Sequence, residues 1–366
     1  MQESAMGGAR MQLTPPAFLA QFTVRLQRGI KARMPGLKCR EFDMRHSVLI
    51  LLAAAFSIAV AMPPAAAQQS YPARPIKIVA PYPPGGASDI TTRIFAAALP
   101  EFLGQPVVVE NKPGGGTNIA AEYVARAAPD GYTLYVANFA SHAVNRHLFA
   151  KLPFHPVKDF TRVAMMNRVP MFLCVRKESS FRTVADLVEH GRKNPGKLTY
   201  GTPGNGSPPH ICGEQLKQLG KFDALHVPYK GVAEAAADMM AGQIDFMFDA
   251  ATIAHHRAGR VRCIGVSYKE RWPTEPEIPT LAESGVPGFD LIAFFGIVGP
   301  ANMPRDIVEK LNAAFVAVAR KPETIEKTRI AAVVPWPATI AETEAFLDDV
   351  DERWGPVVKA SGAKID

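Results

Sequence analysis

Cysteine is scarce in this 366-residue chain: Cys39, Cys174, Cys212 and Cys263 are all there is. No two of them stand at a zinc-finger spacing, and no histidine pattern supplies the missing ligands, so no metal site is expected. His255 and His256 are adjacent, and neighbours on a helix point in different directions. Once Cys39 is set aside with the leader described below, three cysteines remain. An odd number allows at most one disulfide, and we read all three as small buried residues.

Excess charge is also missing. The formal charge of +7 looks basic, but residues 1–67 hold eight Lys/Arg against three Asp/Glu. The remainder carries 33 basic and 31 acidic residues, a net +2, which leaves no footprint for nucleic acid. Nor is there an apolar run of the ~20 residues that a membrane-spanning helix needs. The longest, Val48 to Met62, follows Arg45 and His46 and ends in Ala65-Ala66-Ala67. A basic start, a short apolar core and a small-x-small end make a Sec-type signal peptide, cleaved near Ala67-Gln68. Residues 1–67 are therefore read as leader and signal peptide. Met44 would itself begin a well-formed signal, so it is a candidate for the true start.

The familiar catalytic signatures are incomplete. Gly191 to Lys197 begins like a P-loop, but Leu198 stands where the Mg²⁺-binding hydroxyl belongs, and the stretch follows a helix instead of a strand. Gly204-Asn205-Gly206 starts a dinucleotide fingerprint that fails at Pro209. Ser141-His142 and Ser207 with His210 lack a G-x-S-x-G elbow, and only chance placement would bring Asp249 to them. No cofactor is expected, and the chain is read as a non-enzyme, with a hydrolase as a minor alternative.

What the sequence does have is alternation of strand and helix. Ile76 to Ala80 reads as a buried strand, Pro81 to Gly86 as a tight turn, and a helix opens near Ala87 with Ser88 and Asp89 in its first turn. A strand feeding a glycine turn and a helix exposes unpaired N–H groups, a ready anion site. Further strands at Thr133–Ala137, Leu198–Gly201, Ala224–Val227 and Ile244–Phe248 each run into a polar turn: 138–145, 201–210, 228–231 and Asp249. Helices start at Thr183 with Asp186 and at the capping box Thr339 to Glu342. Such alternation implies mostly parallel sheets flanked by helices, with ligands at the strands' carboxyl ends. Phe294 and Phe295 are consecutive on a strand, so at most one of them faces a cleft.

Several stretches together resemble one family. They are PYPPGGASD (81–89), LGQPVVVENKPGGGTNIAAEYVARAAPDGYTL (103–134), KLPFHPVKDF (151–160), NPGKLTYGTPGNGSPPHICGE (194–214), HVPYKG (226–231), GQIDFMFDA (242–250) and IPTLAESGVPGFD (278–290). In order and across Tyr71 to Asp366, they are similar to the solute-binding receptors of tripartite tricarboxylate transporters, the Bug-type proteins. The resemblance implies an α/β fold like type II periplasmic binding proteins: two lobes, each a mostly parallel sheet flanked by helices, with the ligand cleft between them. The chain would cross near Arg168-Val169 and near Phe289 to Phe294. Lobe one is then 70–168 plus 292–366, and lobe two 169–291.

The resemblance also implies a periplasmic receptor, monomeric, that closes on a small organic acid: a di- or tricarboxylate, an amino acid or an aromatic acid. It would hand this to the large and small membrane subunits of a transporter. A sensor presenting its closed form to a signalling kinase is the alternative. One ligand carboxylate would be held mainly by backbone amides and waters around Tyr82, Pro84, Gly85, Gly86, Ser88 and Asp89, and across the cleft around Gly204, Asn205, Gly206, Ser207 and His210. Asp249 is a specificity candidate, or alternatively a loop cap. Asn138 to His142 is bulkier than expected after its strand, so Phe139 or His142 would narrow the pocket or add an aromatic wall, with Ala140 and Ser141 as further candidates in the same run. Tyr229 and one of Phe294 and Phe295 complete the candidate walls. Pro208-Pro209 stiffen their loop and remove two N–H donors.

Overall fold

The computed structural model describes residues 71–329 and 333–364. The leader and its cleavage site lie outside the described residues.

The first βαβ unit forms where the sequence predicts it. β1 (Ile76–Ala80) is the inner strand of a parallel trio, flanked by β2 (Val107–Asn111) and β3 (Thr133–Asn138). Ile76, Ile78, Val79 and Ala80 are all buried because helices cover both faces of the strand. The crossovers are α1 (Ala87–Ala98), a one-turn helix α2 (Pro100–Leu103), and α3 (Asn118–Ala125). α1 turns Phe95 inward, where it stacks 6.1 Å from Phe315. Fully burying a phenylalanine contributes about 2–3 kcal/mol, so this pair anchors the helix.

After β3 the chain makes a wide turn at Ala140–Val144 and a short helix, α4 (Asn145–Leu148), before β4 (Phe160–Val169). The chain then leaves for the second sheet: β5 (Phe172–Arg176), α5 (Val184–Lys193), β6 (Leu198–Thr202), α6 (Pro208–Gly220), β7 (Ala224–Pro228), α7 (Val232–Ala241), β8 (Phe246–Asp249), α8 (Thr252–Arg257) and β9 (Val261–Val266). It returns as β10 (Ala293–Pro300), α9 (Arg305–Arg320), α10 (Pro322–Arg329), β11 (Val334–Pro335) and α11 (Ile340–Ala360). Both helix starts predicted from capping residues are present as reciprocal boxes, at Thr183 with Asp186 and at Thr339 with Glu342.

The strand orders are β11-β4-β10-β3-β1-β2 and β7-β6-β8-β5-β9. The pairing is more mixed than the alternation implied. β10 is antiparallel to both β3 and β4, and β5 is antiparallel to both β8 and β9. The reason is topological. A strand that has just crossed between sheets enters from the opposite end, and each sheet takes one such strand into its interior.

Cys174 and Cys263, opposite one another on β5 and β9, are joined by a disulfide, and Cys212 remains free and buried. The reading of all three as plain buried residues therefore holds only for Cys212. β-strand register, which the sequence does not show, brings the other two together.

Candidate functional site

The turn after β1 is braced by one carboxylate. Asp89 accepts from the Gly85 amide at 3.0 Å, from Arg93 Nε at 3.0 Å through both oxygens, and from Asn111 Nδ2 at 2.8 Å. Asn111, at the end of β2, also reaches the Tyr82 carbonyl at 3.0 Å. Burial works to raise the Asp89 pKa, but Arg93, the Gly85 amide and Asn111 outweigh it and hold it at about 2. Asp89 is therefore a permanent anion that shapes the turn. Pro84, Gly85 and Gly86 are exposed, and Gly85 has φ +86°, a conformation a side chain would strain. Gly86 caps α1 with no side-chain hydrogen bond. The first-turn amides Ala87, Ser88 and Asp89 thus have no acceptor within the helix.

The turn after β3 is built inward. Asn138 Oδ1 accepts from the Ser141 amide at 3.1 Å and from Tyr82 Oη at 3.4 Å. Ser141 Oγ lies 2.9 Å from His142 Nδ1. His142 stacks on Tyr135 and tilts against Phe160, at 6.0 and 5.2 Å. Phe139 packs 5.8 Å from Trp354 on α11. Both residues belong to the core of the first sheet, which corrects the expectation that they add an aromatic wall to the pocket. Only Ala140 in this run is partly exposed.

The turn after β6 is self-contained. Thr202 Oγ1 accepts from the Gly204 amide at 3.1 Å, Ser207 Oγ donates to the Gly204 carbonyl at 2.7 Å, and the Gly206 amide donates to His210 Nδ1 at 3.1 Å. At the start of α6, Pro208 and Pro209 have no N–H, and the His210 amide donates to Ser207 Oγ. The two turns are therefore not equivalent halves of an amide clamp. The β6 turn spends its donors on itself and leaves the exposed Asn205. His226, absent from the sequence-based list, stacks 4.2 Å from His210 and lies 2.6 Å from Thr202 Oγ1. With Asn205, Glu214 and Lys217, the two histidines line a polar cavity of about 500 Å³.

Tyr229 Oη donates to Asp238 at 2.8 Å. Asp249 caps its own loop, as Oδ1 accepts the Ala251 amide at 2.6 Å. Burial pushes its pKa up to about 6, against the opposing pull of that amide. Phe294 is buried, 5.0 Å from Phe346, and Phe295 is half-buried, so Phe295 is the one that remains available. The β6 turn meets α4: Gly206 packs against Val144 and Leu148. Sequence reasoning missed Arg93, Asn111 and His226. Position at a strand's carboxyl end could have flagged Asn111 and His226, but their partners are tertiary.

Two helix-flanked sheets, joined by two crossings and meeting through the turns at their strand ends, define a two-lobed solute-binding fold. The chain belongs to the tripartite tricarboxylate transporter family receptors, whose family model matches residues 91–363. It is 36% identical over 296 residues to a UPF0065 protein in the tcbD-tcbE intergenic region of Pseudomonas sp. strain P51, covering 80% of this chain and 88% of that one. Among solved structures it is similar to Rpa4515 of R. palustris with adipate, at 33% identity and TM-score 0.70, covering 81% of this chain and 100% of that one. MatC of Rhodopseudomonas palustris with bound malate matches at 31% identity and TM-score 0.67, over 79% and 100%. The periplasmic binding protein BugD matches at 30% identity and TM-score 0.67, over 80% and 99%. The family model is that of a receptor and BugD is a periplasmic binding protein; this chain is a receptor and not an enzyme.

Proposed function

We propose that the mature protein is a periplasmic receptor that captures a small organic carboxylate and delivers it to the large and small subunits of a membrane transporter. In this reading residues 1–67 are removed near Ala67-Gln68, lobe one is 70–168 plus 292–366, and lobe two is 169–291. The observation that carries the reading is the uncapped first turn of α1, set at the carboxyl end of β1 beside an exposed glycine turn. Its amides and helix dipole favour an anion. Arg93, one turn further along α1, is already paired with Asp89. A carboxylate held by dipoles and bridging waters is bound without a buried salt bridge, which suits a receptor that must let go. Micromolar affinity, about −8 kcal/mol, suffices. The adipate and malate held by the relatives are of the class proposed here.

Lobe two supplies Asn205 and the loop-capping Asp249. Near neutral pH Asp249 is an anion; on protonation it gains a donor that an acid ligand accepts.

The test is a thermal-shift screen of mono-, di- and tricarboxylates, amino acids and aromatic acids. A ligand at 100-fold its dissociation constant stabilises the native state by about 2.7 kcal/mol, a rise of several degrees. A shift produced by a neutral solute and by no anion overturns the reading.

A further inference from the structure

We propose that Asn167, a residue outside every glycine turn, reads the ligand: with Ser88 Oγ it hydrogen-bonds a hydroxyl substituent on the carbon chain of the bound acid. This rests on the carboxylate-receptor reading above.

Asn167 lies on β4, two residues before its end, and is wholly buried. Its Nδ2 and Oδ1 both lack a hydrogen-bond partner, and so does the buried Oγ of Ser88. An unpaired buried polar group costs about 1–3 kcal/mol, so a primary amide idle at both ends needs a reason. The placement supplies one. Phe295 on β10 stands opposite Asn138 on one side and Asn167 on the other. The three side chains therefore form a row on one face, at the end of the sheet where Tyr82 touches Asn138. The irregularity between Phe295 and Gly296 puts Asn167 in that row. Gly296 pairs with Met165 and Phe295 with Asn167, so Met166 is the extra residue of a bulge. α1, which carries Ser88 in its uncapped first turn, packs on this same strand.

The two asparagines of the row differ. Asn138 is spent on the scaffold: its Oδ1 takes Tyr82 and Ser141, and its Nδ2 gives to Tyr135 Oη and the Val136 carbonyl. Asn167 is spent on nothing. An amide offers a donor and an acceptor side by side. A carboxylate satisfies only the donor and is repelled by Oδ1, whereas a hydroxyl accepts from Nδ2 and donates to Oδ1. The chemistry selected is a hydroxy acid, its carboxylate on the α1 amides and its hydroxyl on Asn167 and Ser88.

The experiment is calorimetric titration of the mature protein with three pairs that differ by one hydroxyl: lactate and propionate, malate and succinate, 2-hydroxyadipate and adipate. Wild type should prefer the hydroxylated member of at least one pair by tenfold or more. Asn167→Leu should bring that ratio to within about threefold of unity, leave the plain acid's affinity unchanged, and match or raise the ligand-free melting temperature. Ser88→Ala should lower the same ratio, and it serves as the second variant if Asn167→Leu does not fold. A ratio unchanged in both variants, or carboxylate binding in wild type with no hydroxyl preference, overturns this inference and leaves the receptor reading standing. Binding of none of the six acids, with no shift from any other anion, overturns both.

Discussion

Gly206 and Leu148 occupy space that cannot be shared with one more carbon: a Cβ on Gly206 would lie 2.3 Å from Leu148 Cδ1. Gly206 belongs to the β6 turn of the second sheet, and Leu148 to α4 beside the first. The contact is a test of closure, because a side chain on Gly206 would have to displace the end of Leu148, which is itself buried.

Gly206→Ala should hold the lobes apart. The position also has φ +74°, so a side chain strains the turn itself. Ligand affinity should fall by tenfold or more, and ligand-induced compaction in small-angle scattering should vanish. Leu148→Ala in the same chain should restore part of the affinity by making room. If Gly206→Ala binds and compacts normally, this contact does not gate closure.

Asp89→Ala should damage the first turn without touching the core. It removes the acceptor for Gly85, Arg93 and Asn111. A carboxylate held at about 2 stabilises the fold above its unfolded pKa and loses that contribution as pH falls toward 2. Because Arg93 is half exposed, screening reduces the effect to about 1–2 kcal/mol at pH 7. Urea denaturation measures the loss, and ligand affinity should drop with it.

Acid should destabilise the protein, through histidines. Burial lowers the pKa of His210 and His226 to about 4 and that of His142 to about 3, with the Lys217, His210 and Arg162 charges adding to it respectively. The unfolded chain takes up these protons first, so stability falls as pH drops from about 6.5 toward 4. Asp249 runs the other way. Its folded pKa of about 6 lies above the unfolded value, so its contribution is present in acid and is lost as pH rises from about 4 to 6. Asp249→Asn should therefore gain up to about 3 kcal/mol at pH 7 and make the acid loss steeper. Melting curves at pH 7 and 4.5 give both signs, and an Asn variant less stable at pH 7 contradicts the argument.

Reducing the disulfide should lower stability substantially. Cys174 and Cys263 are 89 residues apart in sequence, a loop for which the chain-entropy account gives about 4.6 kcal/mol. Cys263→Ser should show the same loss without reductant, whereas Cys212→Ser should keep the wild-type stability and the wild-type response to reductant.

Local chemistry was legible and long-range pairing was not. The two capping boxes and the donor loss at Pro208-Pro209 depend on neighbours within four residues, and so do the prolines and glycines that make the β1 turn, although Asn111 braces it from β2; each is where the sequence places it. β4 went unread because Arg162, Asn167 and Arg168 interrupt its apolar character, although partners on both sides bury most of it. The inward packing of Phe139 and His142 depends on Trp354, Tyr135 and Phe160, and two of those three, Phe160 and Trp354, lie far outside the 138–145 turn in sequence. His226 became part of the site only because β7 pairs beside β6, which brings its ring to Thr202 and His210.

The placement of β10 sets the order in which the molecule can be assembled. β3 and β4 do not touch each other; β10 is the strand between them, and it is encoded after the whole second sheet. A chain emerging from its N-terminus has a gap in its first sheet until about residue 300 arrives, and contacts so distant in sequence form slowly. For the exported receptor proposed above, a precursor in that state would still thread through a membrane channel. The same topology makes the N-terminal lobe useless as a separate fragment: a truncation before Ala293 should leave residues 71–169 unfolded, and supplying 293–364 as a second chain should be required to complete it.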